Sequence, residues 1–141
     1  MNYIRKHSAG VEVHRDESLQ IVKQSLRKHL DALVIPTLST VEGRKKAISA
    51  ITGMKRNVPI YVNDECCLIP LIAEREWNAL FINYFTVLEV EMTADNQCDV
   101  RFADGSVLTA PLSSKKVLNR LNRCTELLQC LQQRKLSENV F

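Results

Sequence analysis

The residues of this chain that are best suited to chemistry are cations concentrated in one short segment. They are Arg44, Lys45 and Lys46, directly after Gly43, and then Lys55 and Arg56. Ammonium and guanidinium groups bind phosphate, and each such contact makes binding to a polyanion more dependent on salt. A helix that begins just before this run would add free backbone N–H groups and its dipole to the same site. The segment therefore predicts a phosphate-binding surface, with a solvated basic face as the alternative.

A second group of cations recurs at helical spacing near the end of the chain. Lys116, Arg120 and Arg123 are separated by four and three residues, which places them on one face of a helix. An arginine can also enter the narrow minor groove of A/T-rich DNA, where the negative potential is strongest. The two groups together make double-stranded DNA a candidate partner.

The net charge of the whole chain conceals this arrangement. The 141 residues include 19 basic and 16 acidic side chains, which gives a formal net charge of +3. Residues 40–60 and residues 113–141 each have a net charge of +4, residues 1–39 have +2, and residues 61–112 have −7. Segregation on this scale creates a positive field over part of the surface, which attracts a polyanion or an acidic protein.

The composition is typical of one globular domain. The length suits a single core, and 45% apolar with 25% charged residues is average for a globular protein. No apolar run approaches the ~20 residues of a membrane span, and the N-terminus lacks the apolar stretch of an export signal. We therefore expect a cytoplasmic protein without a membrane partner.

The cysteines do not suggest a disulfide framework or a metal centre. They are Cys66, Cys67, Cys98, Cys124 and Cys130. An odd number without an export signal favours reduced thiols. No pair has the spacing of two to four residues that is typical of zinc ligands. We expect small buried hydrophobic side chains, no metal site and no cofactor.

The sequence contains no recognisable catalytic motif. A nucleophile elbow, a dinucleotide-binding loop, a phosphate loop and a zinc-protease motif are all missing from it. Glu89 and Glu91 alternate along a predicted strand, where a solvated face is the ordinary reason for such a pair. The sequence therefore predicts a protein that is not an enzyme.

Hydrophobic periodicity predicts three helices that position the cations. The first covers residues 17–34, begins near Asp16 or Glu17, and has an apolar stripe that starts at Leu19. The second begins at the cap residue Thr40 and ends at Gly53. The third covers residues 113–135, so that both groups of cations lie on helices or beside them.

Between the second and third helices the pattern predicts an antiparallel sheet of about five strands, and the fold class is therefore α+β. The clearest hairpin covers residues 99–110 and turns at Asp104-Gly105. We divide the chain into an N-terminal extension (1–16), a single α+β DNA-binding domain (17–135) and a short tail (136–141).

The order of these segments resembles the bacterial competence transcription factor (ComK) family. Three segments carry the resemblance: Ser39-Thr40-Val41-Glu42-Gly43-Arg44-Lys45-Lys46-Ala47, Val58-Pro59-Ile60-Tyr61-Val62 and Cys67-Leu68-Ile69-Pro70-Leu71. It continues through residues 81–84, the hairpin with Phe102 and Gly105, and Asn122-Arg123-Cys124, and it spans roughly residues 17–130.

The resemblance implies a DNA-binding activator of competence genes that recognises A/T-rich sites largely through the minor groove. It also implies a homodimer or higher oligomer, and a proteolytic adaptor as a further partner. Gly43, Arg44 and Lys45 match the family's Gly-Arg-Lys element, and Lys55 and Arg56 fall where the family is basic. With the other cations, the predicted DNA-binding residues are Gly43, Arg44, Lys45, Lys46, Lys55, Arg56, Arg120 and Arg123.

An alternative function is left open by the same sequence. A truncated relative that does not bind DNA could use the acidic sheet, or the leucine stripe of the last helix, to bind and modulate a full-length regulator. The absence of a DNA shift together with a complex in size-exclusion chromatography would identify such a protein-interaction module.

Overall fold

The computed structural model describes residues 1–15 and 18–139, which form two antiparallel sheets and three α-helices. The helices are α1 (Leu26–Val34), α2 (Val41–Thr52) and α3 (Ser114–Asn139). The strands are β1 (Tyr3–His7), β2 (Gly10–Arg15), β3 (Ser18–Val22), β4 (Ile60–Asn63), β5 (Cys66–Ile72), β6 (Leu80–Asn83), β7 (Val87–Ala94), β8 (Gln97–Phe102) and β9 (Val107–Ala110). This arrangement confirms the predicted α+β class.

The strands are divided between a large and a small sheet, so the prediction of one sheet with about five strands was wrong in its count. The large sheet has the order β3-β2-β1-β6-β5-β4, and the small sheet has the order β7-β8-β9. The chain passes from one to the other in a 3-10 turn, Tyr84–Thr86. Buried Asn83 fixes this turn, because its side chain accepts a 3.3 Å hydrogen bond from the Phe85 N–H. The hydrophobic pattern of the sequence does not show that the chain changes sheets at this point, so it could not predict two sheets.

The large sheet is covered on both faces at β5 and β6, which gives the molecule three layers. Ile69 and Ile82 point into a core with α3 and the small sheet. Leu68 and Phe81, one residue away on each strand, point into a second core with α1. Two buried faces require apolar residues at successive positions rather than alternate ones, which explains the unbroken apolar sequence of β5.

Helix α2 begins and ends where its capping residues predict, and this confirms the second predicted helix. The Thr40 hydroxyl accepts a 3.0 Å hydrogen bond from the Gly43 N–H at the start. Gly53 ends the helix in the left-handed conformation, with φ 78°, and its N–H donates to the Ser49 carbonyl. Side-chain and glycine caps of this kind depend on local sequence alone.

The prediction of one helix over residues 17–34 was wrong in its first half. Residues 18–22 form β3, which pairs with β2 at the edge of the large sheet, and α1 begins only at Leu26. The Ser25 hydroxyl caps α1 by accepting a 3.2 Å hydrogen bond from the Lys28 N–H. The spacing of Leu19 and Val22 fits a helix, but backbone pairing with β2 determines their conformation. The predicted start at Asp16 or Glu17 lies outside the described residues.

The ends of the chain also differ from their predicted roles. Residues 3–15, which were set apart as an extension, form β1 and β2 inside the large sheet, where β1 pairs with β6. Helix α3 continues to Asn139, past the predicted end at residue 135. No helix in the described part of the chain is long and apolar enough to span a membrane.

Candidate nucleic-acid interface

The first turn of α2 is less open to phosphate than its sequence predicts. The Gly43 N–H is occupied by Thr40, and the Val41 N–H donates a 2.8 Å hydrogen bond to the Asp31 carboxylate of α1. A carboxylate at this position already interacts with the positive end of the helix dipole. Contacts between this segment and phosphate therefore fall to side chains rather than to backbone donors.

Gly43 keeps this helix start compact. A Cβ atom at its position would lie 3.2 Å from the Thr40 Oγ1 that forms the cap and 3.6 Å from the Ser39 Oγ. A larger residue here would crowd the capping hydroxyl, which explains a glycine in a helical turn that otherwise disfavours it. The structure thus gives Gly43 a positioning role for the cations that follow it.

Arg44 ties α2 to the turn that precedes it. Its Nη2 donates a hydrogen bond to the Thr37 Oγ1, whose own hydroxyl donates to the Val34 carbonyl at 2.7 Å. Arg44 also lies close enough to β4 to act on the ionisation of Tyr61. Burial and Asp64 raise the pKa of Tyr61 to about 12, and the Arg44 charge opposes that rise.

Lys45 belongs to a charge network around Glu74 that the sequence analysis missed. Arg27 of α1 contacts this carboxylate with two nearly parallel hydrogen bonds, from Nε at 2.7 Å and Nη2 at 2.8 Å. The Lys45 Nζ lies 3.8 Å from the same carboxylate, and the Lys6 Nζ donates to the Glu74 carbonyl at 2.8 Å. One acidic residue thus holds three cations from three separate elements.

Lys46, Lys55 and Arg56 are exposed and have no hydrogen-bond or ion-pair partner within the described part of the chain. Lys55 and Lys45 line the same cavity of about 180 Å³, together with Glu74 and Pro70. The structure therefore brings the cations of α2 and those of the turn after it to one side of the molecule.

Arg120 and Arg123 of α3 have different surroundings although both were predicted to contact DNA. The Arg120 Nη1 donates to the carbonyls of Pro70, at 3.0 Å, and Leu71, which lie at an irregularity in β5. Burial lowers the pKa of the Arg120 guanidinium, and so does the charge of Arg123. Arg123 is half-buried and has no polar partner among the described side chains. Arg120 therefore joins α3 to the large sheet, while the Arg123 charge stays available.

A sequence model of one protein family, described as ComK protein, matches residues 3–136 of the chain. The chain belongs to the ComK family. The comparisons with curated proteins and with solved structures gave no match. Membership confirms the family that the sequence resemblance indicated, which is a family of competence transcription factors.

The family match includes two cations that the sequence analysis did not select. It begins at residue 3, so Lys6 of β1 and Arg27 of α1 lie within the ComK domain. Both meet at Glu74, in the segment between β5 and β6. These residues are 47 or more positions from Glu74, and local spacing gives no signal for contacts over such distances. The group of cations around Glu74, which consists of Lys6, Arg27 and Lys45, is therefore brought together by the fold and not by a single sequence motif.

The small sheet carries one group of the acidic residues of this ComK-family chain. Glu89 and Glu91 of β7 flank Arg101 of β8, with N–O distances of 3.2 Å to each carboxylate. Asp99 accepts a 2.9 Å hydrogen bond from Thr109 on β9. The two glutamates share one solvated face, as their alternation along the strand predicted.

Three of the five cysteines pack as the sequence analysis expected. Cys67, Cys98 and Cys124 are fully buried and have free thiols, whereas Cys66 and Cys130 are half-buried. The Cys67 and Cys124 sulfur atoms are 3.2 Å apart, and their mutual hydrogen bond together with burial raises the pKa of Cys67. Free, buried thiols without an adjacent cation are unreactive and serve as small core residues.

Cys66 provides a check on this packing through its reactivity. Burial raises the pKa of the Cys66 thiol to about 11, from an ordinary value of 9.0. Because the thiolate is the nucleophile, we expect alkylation of Cys66 at pH 8 to be about 100-fold slower in the folded chain than in urea. Peptide mass spectrometry after timed iodoacetamide pulses measures both rates. Equal rates in the two states would contradict the burial of Cys66.

Proposed function

We propose that this ComK-family protein binds double-stranded DNA at A/T-rich sites, largely through the minor groove, and activates competence-type genes. The observation that carries the proposal is the set of exposed cations without partners beside α2. They are Lys46, Lys55 and Arg56, with Lys45 beside them. Exposed cations without partners, grouped on one side of a molecule, favour a polyanion.

The role that we propose for each residue depends on whether its side chain already forms a hydrogen bond or an ion pair within the protein. Lys46, Lys55, Arg56 and Arg123 bind phosphate or enter the groove, because no partner among the described residues holds their charges. Lys45, which already lies 3.8 Å from Glu74, adds a weaker contact. Arg44 shares this surface but also holds the turn before α2 through Thr37. Gly43 and Arg120 position the surface, the first at the helix cap and the second against β5.

The remaining features of the proposal are those that the sequence resemblance implies. The protein acts in the cytoplasm, where the chromosome lies, and it acts as a homodimer or higher oligomer. Pairing two copies would double the number of phosphate contacts and would therefore steepen the dependence of affinity on salt. A proteolytic adaptor is a further partner of the same proposal, and no catalytic activity forms part of it.

The test is a mobility shift of the wild-type protein on A/T-rich and G/C-rich duplexes of equal length between 50 and 300 mM salt. With four or five phosphate contacts per chain, the plot of log K against log salt should have a slope of roughly −4 for each chain bound. We expect tighter binding to the A/T-rich duplex, because its narrow minor groove attracts arginine. Equal affinity for the two duplexes, or an affinity that is independent of salt, would refute the proposal.

A second candidate function is binding to a protein partner through β7. This strand lies at the free edge of the small sheet, and Leu88 and Met92 on it are exposed beside Glu89 and Glu91. An unpaired edge of this kind can accept a strand from another protein. A complex with a full-length regulator in size-exclusion chromatography, combined with no shift of either duplex, would favour this function.

A further inference from the structure

The turn between α1 and α2 presents a leucine in an unusual position. Leu38 follows a 3-10 turn, Ile35–Thr37, and has left-handed backbone angles of φ 60° and ψ 40°. Its side chain is 98% exposed. Leucine disfavours left-handed angles because of its Cβ, and an exposed leucine gains nothing from burial to compensate. A residue that is unfavourable in both respects suggests a function outside the folded monomer.

The conformation of this turn is fixed by several hydrogen bonds. The Leu38 N–H donates to the Ile35 carbonyl at 2.8 Å, and the Thr37 hydroxyl donates to the Val34 carbonyl at 2.7 Å. Arg44 holds Thr37 from the other side. Buried Val34 and Val41 anchor the two helices that flank the turn. The backbone position of Leu38 is therefore fixed by the turn and by the two helices beside it.

The surface around Leu38 is apolar at its tip and basic behind it. Ile35, which is 60% exposed, lies beside it, and both line a shallow cavity with Thr40 and Gly43. The cavity has a volume of about 520 Å³. Arg44 reaches Thr37, the residue before Leu38, and Lys45 and Lys46 follow Arg44 on the same helix.

We propose that Leu38, supported by Ile35, inserts between adjacent base pairs from the minor groove while the cations of α2 hold the flanking phosphates. This inference rests on the proposed DNA binding. Apolar wedges of this type unstack a base step and bend the duplex, and TA steps yield most easily. The cations behind the tip favour a nucleic acid over a protein as the occupant, because a duplex presents phosphates on both sides of its bases.

The inference can be tested with substitutions of Leu38 that should not destabilise the folded protein. Asparagine tolerates left-handed angles better than leucine, so Leu38→Asn should melt at the same temperature as wild type or higher. Leu38→Ala removes the wedge without introducing a polar group and serves as a second variant. Leu19→Asn, at an exposed leucine on the edge strand of the large sheet, is the matched control.

The experiment uses the full chain and A/T-rich duplexes with 2-aminopurine at successive adenine positions and a dye at each end. Wild type and Leu19→Asn should increase the 2-aminopurine fluorescence at one step and shorten the end-to-end distance. Both Leu38 variants should lose these two signals and bind roughly tenfold more weakly, with an unchanged salt slope.

The possible failures distinguish this inference from the proposed function. If wild type binds the duplex and the Leu38 variants retain the fluorescence change and the bend, the proposed insertion of Leu38 is wrong. The proposed DNA binding is then still supported. If wild type unstacks no base step, or if the Leu38 variants alter only self-association, the wedge is also wrong. If wild type binds no duplex, the proposed function fails and the inference fails with it.

Discussion

Replacing Lys55 and Arg56 together with alanine should weaken binding to A/T-rich DNA by roughly 60-fold at 0.1 M salt. Each phosphate contact contributes about 0.9 to the slope of log K against log salt, so the loss of two contacts should reduce the slope by about 2. These side chains are exposed, and no partner within the described residues holds them. Their full charge is therefore available to the duplex, and their removal should leave the fold unchanged.

The matched control removes two cations that already have carboxylate partners. Arg75→Ala combined with Arg101→Ala changes the net charge by the same amount, but both residues lie among the acidic side chains and pair with glutamates. We expect this control to leave the slope unchanged. Equal losses in the two double variants would mean that net charge alone sets the affinity, which would contradict a localised interface.

The elements that the sequence predicts correctly are those whose ends are determined locally. Thr40 and Gly53 define α2 because a hydroxyl cap and a left-handed glycine act within one helical turn. Asp104 and Gly105 likewise turn the hairpin of β8 and β9, where Gly105 has φ 92°. Such signals involve neighbours in sequence, and they identified α2, this hairpin and α3.

The errors arise where partners distant in sequence determine the conformation. Leu19 fits a helical stripe, but pairing with His14 places it on an edge strand, where it is exposed. Residues 3–7 join the middle of the large sheet by pairing with β6, about 75 residues away. The Ser25 cap was a local signal for the true start of α1, and the apparent continuity of the apolar spacing concealed it.

The residues of the candidate site also fall into those that local sequence predicts and those that only contacts distant in sequence identify. The cations of α2 stand together in sequence and are visible as a group, whereas Lys6 and Arg27 join this surface through contacts with Glu74, which is distant from both in sequence. The sequence also presents Arg120 and Arg123 as equivalent, since both lie on one helical face. Only the contact between Arg120 and the β5 carbonyls distinguishes a positioning residue from an available charge.

Arg120→Ala should lower the free energy of unfolding by about 3 kcal/mol and leave the salt slope of DNA binding nearly unchanged. The guanidinium donates to the Pro70 and Leu71 carbonyls, and hydrogen bonds from a charged group contribute about 1.5–3 kcal/mol each. The two carbonyls lie where β5 is irregular, so no neighbouring strand replaces the lost donor there. Thermal melting should show a decrease of roughly 10 °C.

Arg123→Ala is the matched variant, because it removes the same charge from the same helix three residues later. It breaks no hydrogen bond within the described part of the chain, so its melting temperature should stay close to that of wild type. Its salt slope should decrease by about 1, as expected for one lost phosphate contact. Arg120→Lys retains the charge but lacks the fork of donors, so its stability should lie between wild type and Arg120→Ala. If Arg120→Ala instead kept its stability and lost the slope, Arg120 would be a DNA contact, and the division of roles on α3 would be reversed.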